Sequence, residues 1–173
     1  MPALTSIPFE HRVVVGVADL AVSNNQSIVL TTYSLGSCLG IAIYDPVVKV
    51  GGLLHLMLPD SKLDSNKAEA NPAMFVDSGM QALLKAASQL NADRRRLQVF
   101  VAGGAQILDD GGFFNIGRRN YDALRALLDR ERLNITAEAV GGQVNRTMCL
   151  RVISGLVTLK ISGNPTEVPL CRS

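Results

Sequence analysis

At 173 residues, 47% of them hydrophobic and 18% charged, the chain has the composition of one globular domain with a real core, not of a disordered segment. A near balance of 17 Lys and Arg against 15 Asp and Glu argues against a dedicated nucleic-acid binder. No apolar run approaches the roughly 20 residues that span a bilayer, and three cysteines without a CxxC spacing beside two histidines argue against a structural zinc site.

Residues 1–10 read as an irregular leader, because Pro2 and Pro8 discourage regular structure and the stretch lacks the basic start and apolar centre of a secretory signal. A single domain is expected over residues 11–162, followed by a peripheral, proline-broken tail over residues 163–173. The Val-rich run His11 to Ala18 predicts a strand, and Ser23-Asn24-Asn25 a turn. Further strands are predicted over Ser27–Tyr33, Leu39–Tyr44 and Val48–Leu58, the last with a bulge at Gly51-Gly52.

The polar stretch Ser61–Asn71 reads as an exposed loop, and Pro72 suits the first turn of a helix. Apolar residues from Met74 to Leu90 recur at three- and four-residue steps, as on one helix face, with Asn91 capping the end. A strand over Leu97–Ala102 leads to Gly103-Gly104, and Asp110-Gly111-Gly112 marks a loop. A second helix starts near Ile116, with Tyr121, Leu124, Leu127 and Leu128 inward. Asn134–Val140 reads as a strand, and Met148–Ile153 with Leu156–Ile161 as a hairpin. The arginines between Arg94 and Arg132 are interspersed with acids, so they predict a solvated, paired face. Many strands with two long helices define an α+β domain on a mixed, largely antiparallel sheet.

Chemistry concentrates between residues 28 and 61. If Asp45–Lys49 closes a hairpin, facing residues have numbers that sum to about 93 to 95, which brings Cys38 within one or two positions of His55. A sum of about 94 would put the two on opposite faces, so register decides whether thiol and imidazole meet. A turn centred near Gly36 would set Thr32 opposite Gly40, two residues from Cys38. A free thiol, with a pKa of about 8.5, is mostly protonated at neutral pH, so Cys38 needs His55 as base or imidazolium partner. Thr32 is placed to orient the ring. Backbone N–H groups at Gly36, Ser37 and Cys38 are the candidate oxyanion donors. The bland alternatives are a core cysteine, a satisfied core histidine and a strand-forming threonine. Cys149, Cys171 and His11 read as non-catalytic.

At these residues the chain resembles the chemoreceptor glutamine deamidase family, CheD. The matching segments are LGSC at Leu35–Cys38, YDP at Tyr44–Pro46, GGLLHLMLPDS at Gly51–Ser61, AGGA at Ala102–Ala105, NIGRRN at Asn115–Asn120, and Gly141-Gly142 followed by Arg146. The resemblance implies a three-layer α/β/α sandwich and cysteine-dependent conversion of chemoreceptor glutamines to glutamates, with glutamyl methyl ester hydrolysis as a related activity. By position, Cys38 matches the nucleophile, His55 the base and Thr32 the third member. No metal or organic cofactor is implied. An odd number of cysteines without paired spacing reads as free thiols in a reducing cytoplasm, and the resemblance implies chemoreceptor cytoplasmic helices as substrate and a CheC-type CheY-phosphate phosphatase as partner. The alternative is a binding regulator of such a phosphatase without catalysis of its own.

Overall fold

Alternation of large and small residues decides how this chain layers its sheets. The computed structural model describes residues 9–107 and 115–171. Its first sheet runs in the order β1 (His11–Val14), β3 (Ile28–Leu35), β8 (Arg146–Arg151), β9 (Leu156–Ile161) and β10 (Glu167–Pro169). The second runs β2 (Asp19–Ser23), β5 (Val50–Leu56), β4 (Leu39–Asp45), β6 (Gln98–Gly103) and β7 (Ile135–Val140). Neighbours are antiparallel except β1 with β3 and β6 with β7. Helices α1 (Ser65–Ala70), α2 (Val76–Gln89) and α3 (Ile116–Glu131) complete the described elements.

Every residue of β4 and β5 is buried, because both faces of these strands are covered. Leu39, Ile41 and Ile43 of β4, with Leu54 and Leu56 of β5, pack against Met80, Leu83 and Ala87 of α2 and Leu124, Leu127 and Leu128 of α3. On the opposite face, Ala42, Tyr44 and Leu53 meet Leu30, Leu35, Met148, Leu150 and Val157 of the first sheet. Cross-strand partners on that face are matched in size: Gly40 with His55, Ala42 with Leu53, and Tyr44 with Gly51. This lets the sheets approach while each bulky side chain has a small neighbour.

The α+β class, the two long helices and the Leu156–Ile161 hairpin partner all stand in the structure. The layer order differs from the α/β/α sandwich that the resemblance implies: it is sheet, sheet, helices. Among the described residues, both long helices lie on one face of the second sheet, and the first sheet covers the other face. Local expectations are also corrected. Gly51 and Gly52 form no bulge; the β4–β5 register runs unbroken through them. A Cβ at Gly51 would lie 2.9 Å from Leu150 and one at Gly52 2.9 Å from Leu83, so both glycines answer to packing on their two faces.

The predicted His11–Ala18 strand stops at Val14, and Ala18 turns the chain at positive φ into β2, an edge strand that the alternation did not reveal. Ser61–Asn71, expected as loop, holds a short 3₁₀ turn at Ser61–Leu63 and α1, capped by Asp60 and Asp64 side chains. Tyr121 is not inward; it is half-buried, and its hydroxyl donates to Glu138. Asn91 does follow the end of α2 at positive φ. The tail contributes β10, paired to β9 at the sheet edge. The Asp110-Gly111-Gly112 loop and residues 1–8 of the leader lie outside the described residues.

The arginine-rich face is paired, as its mixture of charges predicts. Arg94 meets Glu131, Arg95 meets Asp93, and Arg118 meets Asp122. Arg96 reaches inward to the fully buried Asp45 (2.7 Å), which also accepts from the amides of Val47 and Asp93. Burial alone would raise the Asp45 carboxyl pKa; the Arg96 and amide hydrogen bonds outweigh it and hold the pKa below the usual range.

Candidate active site

The LGSC segment is where the chain leaves one sheet for the other. After Thr32 the pairing of β3 with β8 shifts, and Ser34 takes a left-handed conformation (φ 58°). Leu35 then turns into the inter-sheet core, and Gly36-Ser37-Cys38 carries the chain to β4. The expected pairing of Thr32 with Gly40 along one sheet therefore does not form. Thr32 pairs with Met148 of β8 in the first sheet, while Gly40 pairs with His55 and Ala102 in the second.

Thr32 and His55 nevertheless meet, across the gap between sheets. Both are fully buried, and Thr32 Oγ1 lies 2.7 Å from His55 Nδ1. The same hydroxyl donates to the Val15 carbonyl (2.7 Å). With its single proton committed there, Oγ1 accepts from His55, so Nδ1 carries the ring proton and Nε2 holds the lone pair. Nε2 is buried and has no hydrogen-bond partner among the described residues.

Register then relates this nitrogen to Cys38. The observed pairs Leu39–Leu56 and Gly40–His55 set Cys38 two residues beyond the position opposite His55. The two are diagonal neighbours on one face of the sheet; among the described residues no hydrogen bond joins the Cys38 sulfur to His55 Nε2. Gly40 keeps the space over the ring clear of a side chain of its own; a Cβ there would fall 2.6 Å from Leu35.

Burial sets the charge state of the pair. His55 is held down to about 4 by desolvation. Burial likewise pushes the Cys38 thiol up, only partly offset by its own backbone N–H. The resting pair is therefore thiol and neutral imidazole, not thiolate and imidazolium, so His55 is suited to act as a base at the moment of attack.

Cys38 is partly exposed at the wall of a cavity of ≈ 530 Å³, whose lining includes Ser34, Gly36, Ser37, Ile107, Gly117 and Asn145. The AGGA segment forms the adjacent wall. Gly104 N–H donates to Cys38 O (2.9 Å) and Ala105 N–H to Gly36 O (2.8 Å). Gly103, at φ 108°, passes so close that a Cβ would lie 2.2 Å from Cys38 O, which explains why only glycine fits there. Of the three expected oxyanion donors, the Gly36 N–H is already given to Ser34 O (3.0 Å), which leaves those of Ser37 and Cys38 as the turn's candidates.

Sequence reasoning did not single out Asn120. This fully buried residue of α3 donates from Nδ2 to Ser37 O (3.1 Å) and Met57 O (2.9 Å). Its signal was present in NIGRRN, where an asparagine three residues after a glycine shares that glycine's helix face. Gly117 packs so tightly on Gly104 and Ala105 that a Cβ would meet them at 2.6 Å, and this close approach delivers Asn120 to the turn. Cys149 lies apart from this site, hydrogen-bonded with Thr31 and Arg12 on the other face of the first sheet. Among the described residues no group of His, Cys, Asp and Glu is arranged to hold a metal ion.

Comparison with known proteins gives a consistent family. A family model described as CheD chemotactic sensory transduction matches residues 57–161; the matched stretch begins just after the three residues of the candidate triad. The chain is 49% identical over 153 residues to the "Probable chemoreceptor glutamine deamidase CheD 1" of Syntrophus aciditrophicus, covering 88% of this chain and 96% of that protein. It is 44% identical to the corresponding Solibacter usitatus protein over 158 residues (91% and 94% covered). It is 39% identical to the one from Pyrococcus abyssi over 152 residues (87% and 91%). Among solved structures, a Neisseria meningitidis protein of the DUF152 family model overlaps with a TM-score of 0.46 at 11% identity, covering 77% of this chain and 63% of that one.

Proposed function

Because the chain belongs to the CheD family, we propose that it is a chemoreceptor glutamine deamidase in which Cys38 is the nucleophile, His55 the general base and Thr32 the residue that fixes the base. The observation that carries the assignment of roles is the Val15–Thr32–His55 hydrogen-bond chain. It leaves the basic nitrogen of a neutral imidazole on the side of the ring away from Thr32, and the reading is supported by the β4–β5 register, in which Cys38 and His55 share one face of the sheet.

In this reading the Cys38 sulfur attacks the side-chain carbonyl carbon of a receptor glutamine while its proton passes to His55 Nε2. The carbonyl oxygen gathers negative charge and is met by N–H donors of the Ser37–Cys38 turn. Collapse of the tetrahedral species breaks the C–N bond. His55 returns the proton to the departing nitrogen, ammonia leaves, and a glutamyl thioester remains on Cys38. Water then attacks the thioester, giving one proton to His55, which passes it to the leaving sulfur. Glutamate and free Cys38 result. A glutamyl methyl ester follows the same route with methanol as leaving group. Each turnover replaces a neutral side chain by an anion on a receptor helix, which changes the repulsion between helix neighbours.

The proposal includes the receptor's cytoplasmic helices as substrate, a cytoplasmic setting, and a CheC-type phosphatase as a binding partner at the same open cleft. Among the described residues no helix is long and apolar enough to cross a membrane. The decisive experiment is mass spectrometry of receptor cytoplasmic fragments incubated with the protein. Wild type should add about one mass unit at specific glutamines with release of ammonia, and Cys38→Ala should add none. Full ammonia release by Cys38→Ala would overturn the assignment of the nucleophile. A pull-down of a CheC-type phosphatase by the same variant separates binding from catalysis.

A further inference from the structure

We infer that Asn120 is a positioning residue for this reaction: it aims the Cys38 backbone N–H at the oxyanion and ties the nucleophile turn to the strand that carries the base. The inference rests on Cys38 being the nucleophile. The geometry begins with one peptide group. Ser37 C=O and Cys38 N–H belong to the same peptide unit, and in a trans peptide they point in opposite directions; the described chain contains no cis bond. By donating 3.1 Å to Ser37 O from the α3 side, Asn120 holds that oxygen inward. The Cys38 N–H is thereby turned outward, toward the sulfur and the cavity. The influence of this N–H on the Cys38 thiol, opposing the effect of burial, is consistent with that direction.

The second donor proton goes to Met57 O at 2.9 Å, two residues on from His55 and just past the end of β5. One carboxamide thus spans the two backbone segments whose spacing sets the distance between sulfur and imidazole. Its orientation is determined, since a flipped amide would turn Oδ1 toward two carbonyl oxygens. The buried Oδ1 has no partner among the described residues, so the residue's function lies in its two donors. A peptide whose carbonyl accepts a hydrogen bond is also a stronger N–H donor. The effect should therefore appear where negative charge develops, in the transition state more than in substrate binding.

The test compares wild type with Asn120→Asp, which keeps the shape and removes one donor group. A carboxylate facing two carbonyl oxygens repels both, whereas its protonated form restores a single donor. On a receptor fragment, kcat should fall about 10²-fold while KM stays within about threefold. The deficit should shrink as pH is lowered, because the new carboxyl protonates; His55 and Cys38 titrate in both proteins and largely cancel in the ratio. Iodoacetamide labelling of Cys38, followed by peptide mass spectrometry, should be slower in the variant and is independent of substrate. If Asn120→Asp does not fold, Asn120→Ser serves, with one donor for two carbonyls and an expected loss of about tenfold in kcat.

Wild-type kcat and labelling rate in the folded variant would overturn the inference, as would a deficit that does not change with pH. Failure of wild type itself to deamidate would instead overturn the functional reading, and the labelling arm would still report on Asn120.

Discussion

Lowering the pH should destabilise this protein through His55, and by a calculable amount. The ring is fully buried and its pKa is depressed from 6.5 to about 4, the cause being desolvation. In the unfolded chain the imidazole takes up its proton near 6.5; in the folded protein it resists until about 4. Between these values the unfolded state binds more protons, so stability falls as pH falls. The contribution is intact above 6.5, declines by up to about 1.4 kcal/mol per pH unit, and below the folded pKa is lost to the extent of about 3 kcal/mol. Going from pH 7 to pH 5 should already cost about 2 kcal/mol. Urea unfolding of wild type and His55→Gln at both pH values isolates this loss, because all other titrating groups are shared. The variant should lose about 2 kcal/mol less than wild type over the interval. Parallel behaviour of the two proteins would refute the assignment of a neutral, desolvated imidazole, whatever their absolute stabilities.

The same buried ring gives activity its pH dependence: kcat/KM for deamidation should show no acid limb near 6.5 and should fall only as pH approaches 4, the window set by His55. Thr32→Val removes the acceptor for His55 Nδ1 and the donor to Val15 O. It should cost about 1–3 kcal/mol in urea unfolding and at least about tenfold in kcat, since the ring is then free to carry its proton on Nε2. Gly103→Ala would force a Cβ to within 2.2 Å of Cys38 O at φ 108°; a lower melting temperature and slower labelling of Cys38 are expected together. Arg96→Met, distant from the cleft, leaves the buried Asp45 carboxylate with amide donors alone. It should lower stability by about 3 kcal/mol with the Cys38 labelling rate unchanged.

Much of the site could be read from spacing because β4 and β5 form a tight local hairpin, and a hairpin's register follows from its turn. That reasoning found the Cys38–His55 relation with no knowledge of the rest of the chain. It failed at Thr32 for a physical reason. Local arithmetic assumes that consecutive strands pair, whereas Ser34 and Leu35 redirect the chain so that β3 and β4 enter different sheets. The expected contact arose through sheet packing, which residue spacing does not encode. Gly51-Gly52 was misread as a bulge because glycine in a strand signals either irregular pairing or close packing, and only the neighbours Leu150 and Leu83 distinguish them. β2 escaped detection as a short edge strand with little apolar alternation. Asn120 lay in a recognisable motif, but its role depends on two carbonyls from distant segments.

The bond between Thr32 and His55 has a consequence for how this fold tolerates change. Its two ends stand on separate sheets that are held apart by Ala42, Leu53, Leu30, Met148 and their neighbours, so the site works as a gauge of the gap between them. A filling that is slightly too thick, such as Ala42→Val, would stretch a 2.7 Å bond before it threatened the fold. Drift in the inter-sheet core should thus erode turnover while melting curves still look sound, and selection on activity would reach deep into residues that never approach a substrate.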